Sequence, residues 1–409
     1  MKKVFEVLLG VLSAIGGFVD IGELVANSNA GARYGLALVW PVLLGLVVIM
    51  LYAEMSGRIA TLSQRPVFDL VRERMGARAA LVNMLGSVAV NMLTMTAEIA
   101  GVALAIQLVT DVSYLLWVPA VGLAVWLVIW RVSFSMLENV IGMLGLALFA
   151  FVVTVWHIHP DVHALVHQAT HPTVPAGEGR PTYFYWAIAV FGGTIMPYEL
   201  FFFSSGAVEE RWTRRDLFLN RVNVYLGFPI GAVISIAIMA AASLVLQPAG
   251  IDVGHLSQTA LPVSLELGKV GLGFVLIGFF AALFGASLET TLANGYVVSQ
   301  HFGWGWGKLV APRRAPLFHA TVLLSLVFAV GLALTSIDPI KVTEYSIVFS
   351  AVVLPLTYLP VLLVANDPDY VGEKTNSRFT NAIAAVMLVV VTVAAVAAVP
   401  LMIATKAGA

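Results

Sequence analysis

GGFVDIGE, residues 16–23, lies inside one long apolar run, and GGTIMPYE, residues 192–199, lies inside another. Each opens on Gly-Gly, passes through two apolar or small residues, and ends in a four-residue block closed by glutamate. An unbroken spanning helix has no use for such blocks. Their carboxylates, Asp20 and Glu23 in the first and Glu199 in the second, would stand in hydrocarbon, where an ionised side chain is costly. The glycines lower helix propensity, with Gly22 placed to permit a break just after Asp20, and Pro197 removes a backbone donor and clashes with the preceding turn. Both blocks read as interruptions of a helix in mid-membrane, which freed backbone groups tolerate only where they face protein or a wet cavity.

The composition around the blocks demands that solvent. Hydrophobic residues make up 60% of the 409-residue chain and charged residues 11%, with a mean hydropathy of +0.93; a soluble domain carries about 25% charged residues. A net charge of −1 gives no basis for a nucleic-acid partner, and none is expected. The absence of cysteine excludes disulfides, thiolate metal sites and thiol catalysis. Because hydrocarbon about 30 Å thick takes roughly 20 apolar residues per helix, eleven spans are drawn: 4–33, 37–61, 79–108, 114–130, 134–157, 183–209, 217–246, 269–300, 315–336, 342–365 and 379–404. The apolar N-terminal run is read as a retained first helix without a cleavage site.

Basic residues orient the chain. Of its 22 lysines and arginines, all but Arg33, Arg180, Lys269, Lys341 and Lys406 fall at or just inside the ends that are cytoplasmic when the N-terminus is inside. The positive-inside rule therefore predicts a multi-pass protein of the cell (inner) membrane, N-terminus cytoplasmic and C-terminus outside. The whole of 1–409 is read as one transmembrane domain. Two five-span halves, about 4–157 and 183–365, each begin with a Gly-Gly block, and an extra helix follows at about 379–404. An odd number of spans per half makes the second half inverted relative to the first, the plan of secondary transporters whose site lies at the paired helix breaks.

Two readings of the acids follow. In one, Asp20, Glu23 and Glu199 form a midplane cation site, because carboxylates grouped in an apolar medium need a cation or protons to neutralise them. In the other they cap half-helices, Glu23 and Glu199 lying near new N-termini. Met196 bears on the choice of ion: a thioether is a soft ligand, suited to transition metals, although a methionine in an apolar helix also serves as packing.

At these residues the sequence resembles the natural resistance-associated macrophage protein (Nramp) family of proton-coupled divalent metal transporters. That family carries Asp-Pro-Gly-Asn in its first broken helix and Met-Pro-His-Asn in its sixth; here the matching blocks are Asp20-Ile21-Gly22-Glu23 and Met196-Pro197-Tyr198-Glu199. The likeness continues through NSNAGARYGLALVW (27–40), TAEIAGVALAIQLV (96–109) and SAVVLPLTYLPVLLVANDPDYVGE (350–373). It implies an all-α integral membrane protein with a LeuT-like inverted-repeat fold, about eleven transmembrane helices, the first and sixth broken. It also implies Asp20 and Met196 as metal ligands, contacts from the carbonyls of Gly17 and Gly193, and Glu98 in a proton pathway.

The departures are specific. Glu23 and Glu199 replace the metal-site asparagines, Ile21 the first-block proline, Tyr198 and Phe203 the sixth-helix histidines, Met95 the second acid before Glu98, and Ala351 a glutamine. Glu289, within FGASLETTLANGY, either replaces part of the proton relay or pairs with a neighbouring hydroxyl. The function expected is secondary transport of a divalent transition metal, Mn²⁺ or Fe²⁺ first, linked to protons and working by alternating access. Alternatives are a carrier of Mg²⁺ or another hard cation, an organic-cation carrier using Tyr198 and Phe201–Phe203, and a non-transporting sensor. No catalytic constellation or phosphate loop is present and no enzyme is expected. No cofactor is implied, the metal being substrate, and the oligomeric state is not legible.

One motif lies apart from the blocks. His159, His163, His167 and His171 recur every fourth residue in the segment 158–182, expected outside, with Pro160 at the first position of a short helix from about 160 to 170. Either the imidazoles collect metal, or the helix is a solvated loop element packing through Val162, Leu165 and Val166.

Overall fold

The computed structural model describes residues 18–132, 134–175, 177–335 and 337–408. Within these the chain is helical. Helix α1, Ile21–Tyr34, starts where it does because Asp20 is extended (φ −104°, ψ −171°) and its side chain accepts the Glu23 N–H. Gly35, at φ +60°, turns the chain into α2, Val39–Ser63. There follow α3 (Val67–Met75), α4 (Ala77–Thr110), α5 (Tyr114–Arg131), α6 (Phe134–Gly145) and, after a 3₁₀ turn, α7 (Ala150–Ile158). A short α8 (Val162–Thr170) leads to α9 (Arg180–Thr194) and α10 (Pro197–Glu209), the two halves of the second interrupted helix. Then α11 (Leu217–Val222) runs through a π turn into α12 (Phe228–Ala249), and α13 spans Leu256–Phe302 with a kink at Gly268 (φ 64°). The chain closes with α14 (Pro316–Ala333), α15 (Pro339–Ala365), α16 (Pro368–Val371) and α17 (Arg378–Ala404).

Ten helical segments among the described residues are long and apolar enough to cross a membrane, and they coincide with the second to eleventh expected spans. Residues 4–17 of the first expected span lie outside the described residues. The spacing did not predict α3 or the part of α13 before Gly268. The first is too short and polar to span; the second is joined to the spanning part through a single glycine.

Burial separates centre from periphery. The Arg180–Glu209 pair has 89% of its apolar window buried, against 22% for α17, so the broken helix is the axis and α17 faces lipid. Against that axis lie α1, α2 and α15; α1 also packs along α12, and α4 along α13 and α15. Apolar burial drives little association inside a bilayer, so close backbone approach through small residues carries more of the packing. A Cβ on Gly31 would stand 2.1 Å from the Met239 carbonyl oxygen, and one on Gly192 2.4 Å from the Ile347 carbonyl oxygen. Gly22, inside the first turn of α1, serves the same end. Its Cβ would sit 2.8 Å from Ile347 Cγ2, so this glycine supplies clearance, and the break itself falls at Val19–Asp20.

Gly31→Val should therefore push α1 off α12. A loss of about 2–3 kcal/mol or outright failure to fold is expected from backbone overpacking, read as a lowered melting point and poor monodispersity in detergent. Gly331→Ala, at a position with open space around it, is the matched control and should change neither.

Candidate metal site at the two helix breaks

At the first break Asp20 divides its carboxylate. Oδ1 accepts the Glu23 N–H at 3.0 Å, closing the orphan turn of α1, while Oδ2 faces the Tyr198 hydroxyl at 3.4 Å. Capping thus occupies one oxygen and leaves the other turned across the gap. At the second break, Ile195 leaves the helical conformation (φ −136°, ψ 77°), Met196 is extended and Pro197 opens α10. The Ile195 N–H closes no hydrogen bond onto α9, so carbonyls of its last turn are left to a ligand or water.

The breaks face each other. The position of a Cβ on Gly22 lies 3.0 Å from Asp20 Oδ1 and 3.5 Å from the Met196 methyl, so the two side chains flank the same glycine. Gly193 packs on the Gly22–Glu23 peptide, its Cβ position 3.4 Å from the Gly22 carbonyl carbon. Glu199, in the first turn of α10, keeps Oε2 buried without a hydrogen-bond partner. Asp20 and Met196 are at most 1% exposed and Glu199 9%.

Glu23 is placed differently. Thr194 Oγ1 donates to Oε1 at 2.6 Å, and the Asn27 side-chain amide donates to Oε2. Both oxygens are spoken for, and the carboxylate joins α1 to the end of α9. Glu98, on α4, accepts from Thr290 Oγ1 at 2.8 Å, with Oε1 buried and unpartnered. Glu289, next to that threonine on α13, is half-buried. Asp20 lies within electrostatic range of Glu23, Glu98, Glu199 and Glu289. Gly17 lies outside the described residues. Among the described residues no three Asp, Glu or His side chains converge closely enough to hold an ion by themselves. A ligand set at the breaks consequently draws on the Met196 sulfur and backbone oxygen.

Among the described residues no buried basic side chain is paired with these acids. The buried basic side chains among the described residues are Arg58, His301 and Lys308. Arg58 pairs with Glu54 at 3.1 Å, His301 stacks edge-on to Phe68, and the Lys308 N–H meets Glu209 at the end of α10. Carboxylates in a low-dielectric site without a positive partner require protons or a metal ion.

Contacts between elements gather at both ends of the bundle. At the α8 end, Arg33 pairs with Glu178 at 3.2 Å, Tyr34 meets Tyr183 edge-on at 5.5 Å, and Arg33 donates to the Gly408 carbonyl at 2.6 Å. At the opposite end Phe68 meets Phe201 at 5.2 Å, Gln300 donates to Ser205 at 2.9 Å, and Arg58 reaches Asn376.

The replaced positions have structural occupations. Met95 accepts from the Thr291 hydroxyl at 2.9 Å, Phe203 stacks edge-on to Trp212, and Ala351 lies beside Gly192 near the break. Sequence reasoning missed Thr194, Asn27 and Thr290, the groups that fix Glu23 and Glu98. Asn27 had a signal, being four residues after Glu23 on one helix face; the two threonines act across 171 and 192 residues of chain. In the histidine segment, Asp161 rather than Pro160 starts the helix, accepting from the N–H groups of His163 and Ala164. Val162 and Val166 are exposed, and the inner face is Leu165, Gln168 and Ala169.

The chain is similar to known proteins over nearly its whole length. The sequence pattern of the natural resistance-associated macrophage protein-like family matches residues 10–400. A protein of Erwinia tasmaniensis described as divalent metal cation transporter MntH is 26% identical, over 95% of this chain and 93% of that protein. A namesake from Klebsiella pneumoniae is 27% identical over 93% and 91%. Among solved structures, the manganese transporter of Eremococcus coleocola superposes with a TM-score of 0.70 at 19% identity, covering 95% of this chain and 85% of that one. MhsT bound to L-phenylalanine superposes at 0.56 and 15% identity, covering 95% and 98%. The fold is thus LeuT-like, and the chain belongs to the natural resistance-associated macrophage protein (Nramp) family.

Proposed function

We propose that this protein carries divalent transition-metal cations, Mn²⁺ and Fe²⁺ foremost, across a membrane by alternating access around the two helix breaks. The observation that carries the reading is that the Asp20 carboxylate and the Met196 side chain flank Gly22 at the breaks, among acids with no buried Lys or Arg partner among the described residues. Relatives described as divalent metal cation transporters point the same way. An entering dication supplies the missing charge, and Met196 favours ions that gain from sulfur.

In this reading Asp20 Oδ2, Met196 Sδ and Glu199 are the side-chain ligands, with carbonyls near Gly193 and Gly17 completing the shell. Glu23 acts mainly as the strut that holds α1 to α9 while the ion is bound. Glu98 and Glu289, within electrostatic range of Asp20, are assigned to proton transfer. The α8 end is taken to face outside and the Arg58 end the cytoplasm of a cell (inner) membrane, the orientation that the basic residues favour. Opening would break the Arg33–Glu178 closure at one end and the Phe68–Phe201 closure at the other, in turn.

Asp20→Ala is expected to lower Mn²⁺ affinity at least about tenfold, about 1.4 kcal/mol, measured by calorimetry on purified protein. Unchanged affinity puts the site elsewhere. Glu23→Gln, which keeps a side chain in reach of Thr194 and Asn27, should retain most of the binding; if it loses as much as Asp20→Ala, Glu23 is a ligand and not a strut.

Selectivity tests the sulfur. Met196→Ala should weaken Cd²⁺ and Mn²⁺ binding more than Mg²⁺ binding, because a hard ion gains nothing from a thioether. An equal loss for all three ions would favour a carboxylate site for hard cations, with Met196 as packing.

A further inference from the structure

The histidine segment is not used by the site at the helix breaks. His157, His159, His163, His167 and His171 lie within fifteen residues of one another in a chain with eight histidines, and the last four are all exposed. Exposure alone says little. The ring geometry at the end of α8 says more.

We propose that His167 and His171 form a second metal site, at the surface, that holds a borderline divalent transition metal such as Zn²⁺, Ni²⁺ or Cu²⁺. Their rings lie parallel, with an interplanar angle of 12° and centroids 4.4 Å apart. A metal–imidazole bond is about 2.0–2.1 Å, so two nitrogens sharing an ion sit within about 4 Å of each other. The rings stack face to face, so their in-plane lone pairs run parallel here, and turning both exposed imidazoles about χ1 and χ2 is what points one nitrogen of each at a common ion across the helical turn that separates them.

The tautomer of His171 is set by its neighbours. The Thr170 hydroxyl spends its proton on the Val166 carbonyl at 2.7 Å. Its oxygen, 3.0 Å from His171 Nδ1, therefore accepts from that nitrogen, and the His167 carbonyl lies on the same side at 3.3 Å. With Nδ1 carrying the proton, Nε2 holds the lone pair and is the nitrogen free to ligate. Anchoring one imidazole nitrogen on an oxygen while the other points outward is how metal-binding histidines are oriented. The pair also sits at the C-terminal end of α8, where the helix dipole favours a cation.

The other histidines fit less well. His157 and His159 have ring centroids 6.5 Å apart at 55° and are two residues apart at a helix end, not one helical turn apart on a helix face. The helix backbone beneath the pair is held in place: Gln168, between the two histidines, accepts the Leu36 N–H at 3.0 Å and lies against Gly35. An ion at this site would sit beside the turn that joins α1 to α2. Imidazole nitrogen and water complete its shell, so the class of ion is imidazole-seeking and Mg²⁺ and Ca²⁺ are excluded. The inference stands whichever ion the helix breaks carry.

The test is Ni²⁺ and Zn²⁺ binding to the full chain in detergent, counted by equilibrium dialysis in an Asp20→Ala background, at ion concentrations too low to fill the weakened central site. One ion per chain is expected. His167→Gln with His171→Gln should weaken that binding at least tenfold without moving the melting point, while His163→Gln and His157→Gln leave it unchanged. Two results overturn the proposal: no ion bound to the Asp20→Ala protein, or binding that survives the double substitution. Loss of Mn²⁺ affinity at the central site with the surface ion retained, or the reverse, keeps the two sites distinguishable.

Discussion

The structure depends on a helix end that has to be finished in hydrocarbon. Interrupting a span exposes N–H and C=O groups that no water reaches, and each costs several kcal/mol if left alone. Asp20 resolves this at the first break by giving one carboxylate oxygen to the Glu23 N–H. The same act fixes the side chain and leaves its second oxygen aimed across the gap. Capping and ligation, two readings that compete on the sequence, are here the work of two oxygens of one residue.

Charge is the second constraint, and it follows from the first. Finishing helices with carboxylates collects acid at the midplane, and the bundle answers with hydroxyls and amides, not with arginine or lysine. Thr194, Asn27, Thr290 and Tyr198 supply neutral donors. Neutral donors orient a carboxylate without cancelling its charge, so the site retains its appetite for a cation. The buried ion pair of the structure, Glu54 with Arg58, stands away from the site, tying α2 to the segment before α17.

The breaks were legible because their causes are local: glycine, proline and acid fall within eight residues of one another. The spans were legible for the same reason, since hydropathy needs only a window. What lay beyond reach were facts about docking. Nothing near Glu23 announces that Thr194 will take one of its oxygens, because that contact exists only once α9 has packed on α1. Gly22 was misassigned on the same ground: a glycine beside a break suggests a hinge, yet its neighbour Ile347 comes from another helix. In α8 the inward face is set by docking: Gln168 accepts the Leu36 N–H, so Leu165 and Gln168 face inward while Val162 and Val166 are exposed.

The approach of Gly31 to the Met239 carbonyl has a mechanical meaning. Two helices that touch backbone to backbone cannot slide past each other, since no side chain lies between them to change rotamer. With the two elements packed along each other, this makes α1 and α12 a single lever, while Phe18, before the break, seats on Gly231 of α12. Any rearrangement that exposes Asp20 must carry α12 along, and the freedom for that swing is located in the connections of the lever: the Gly35 turn at one end and the π turn Asn223–Gly227 at the other.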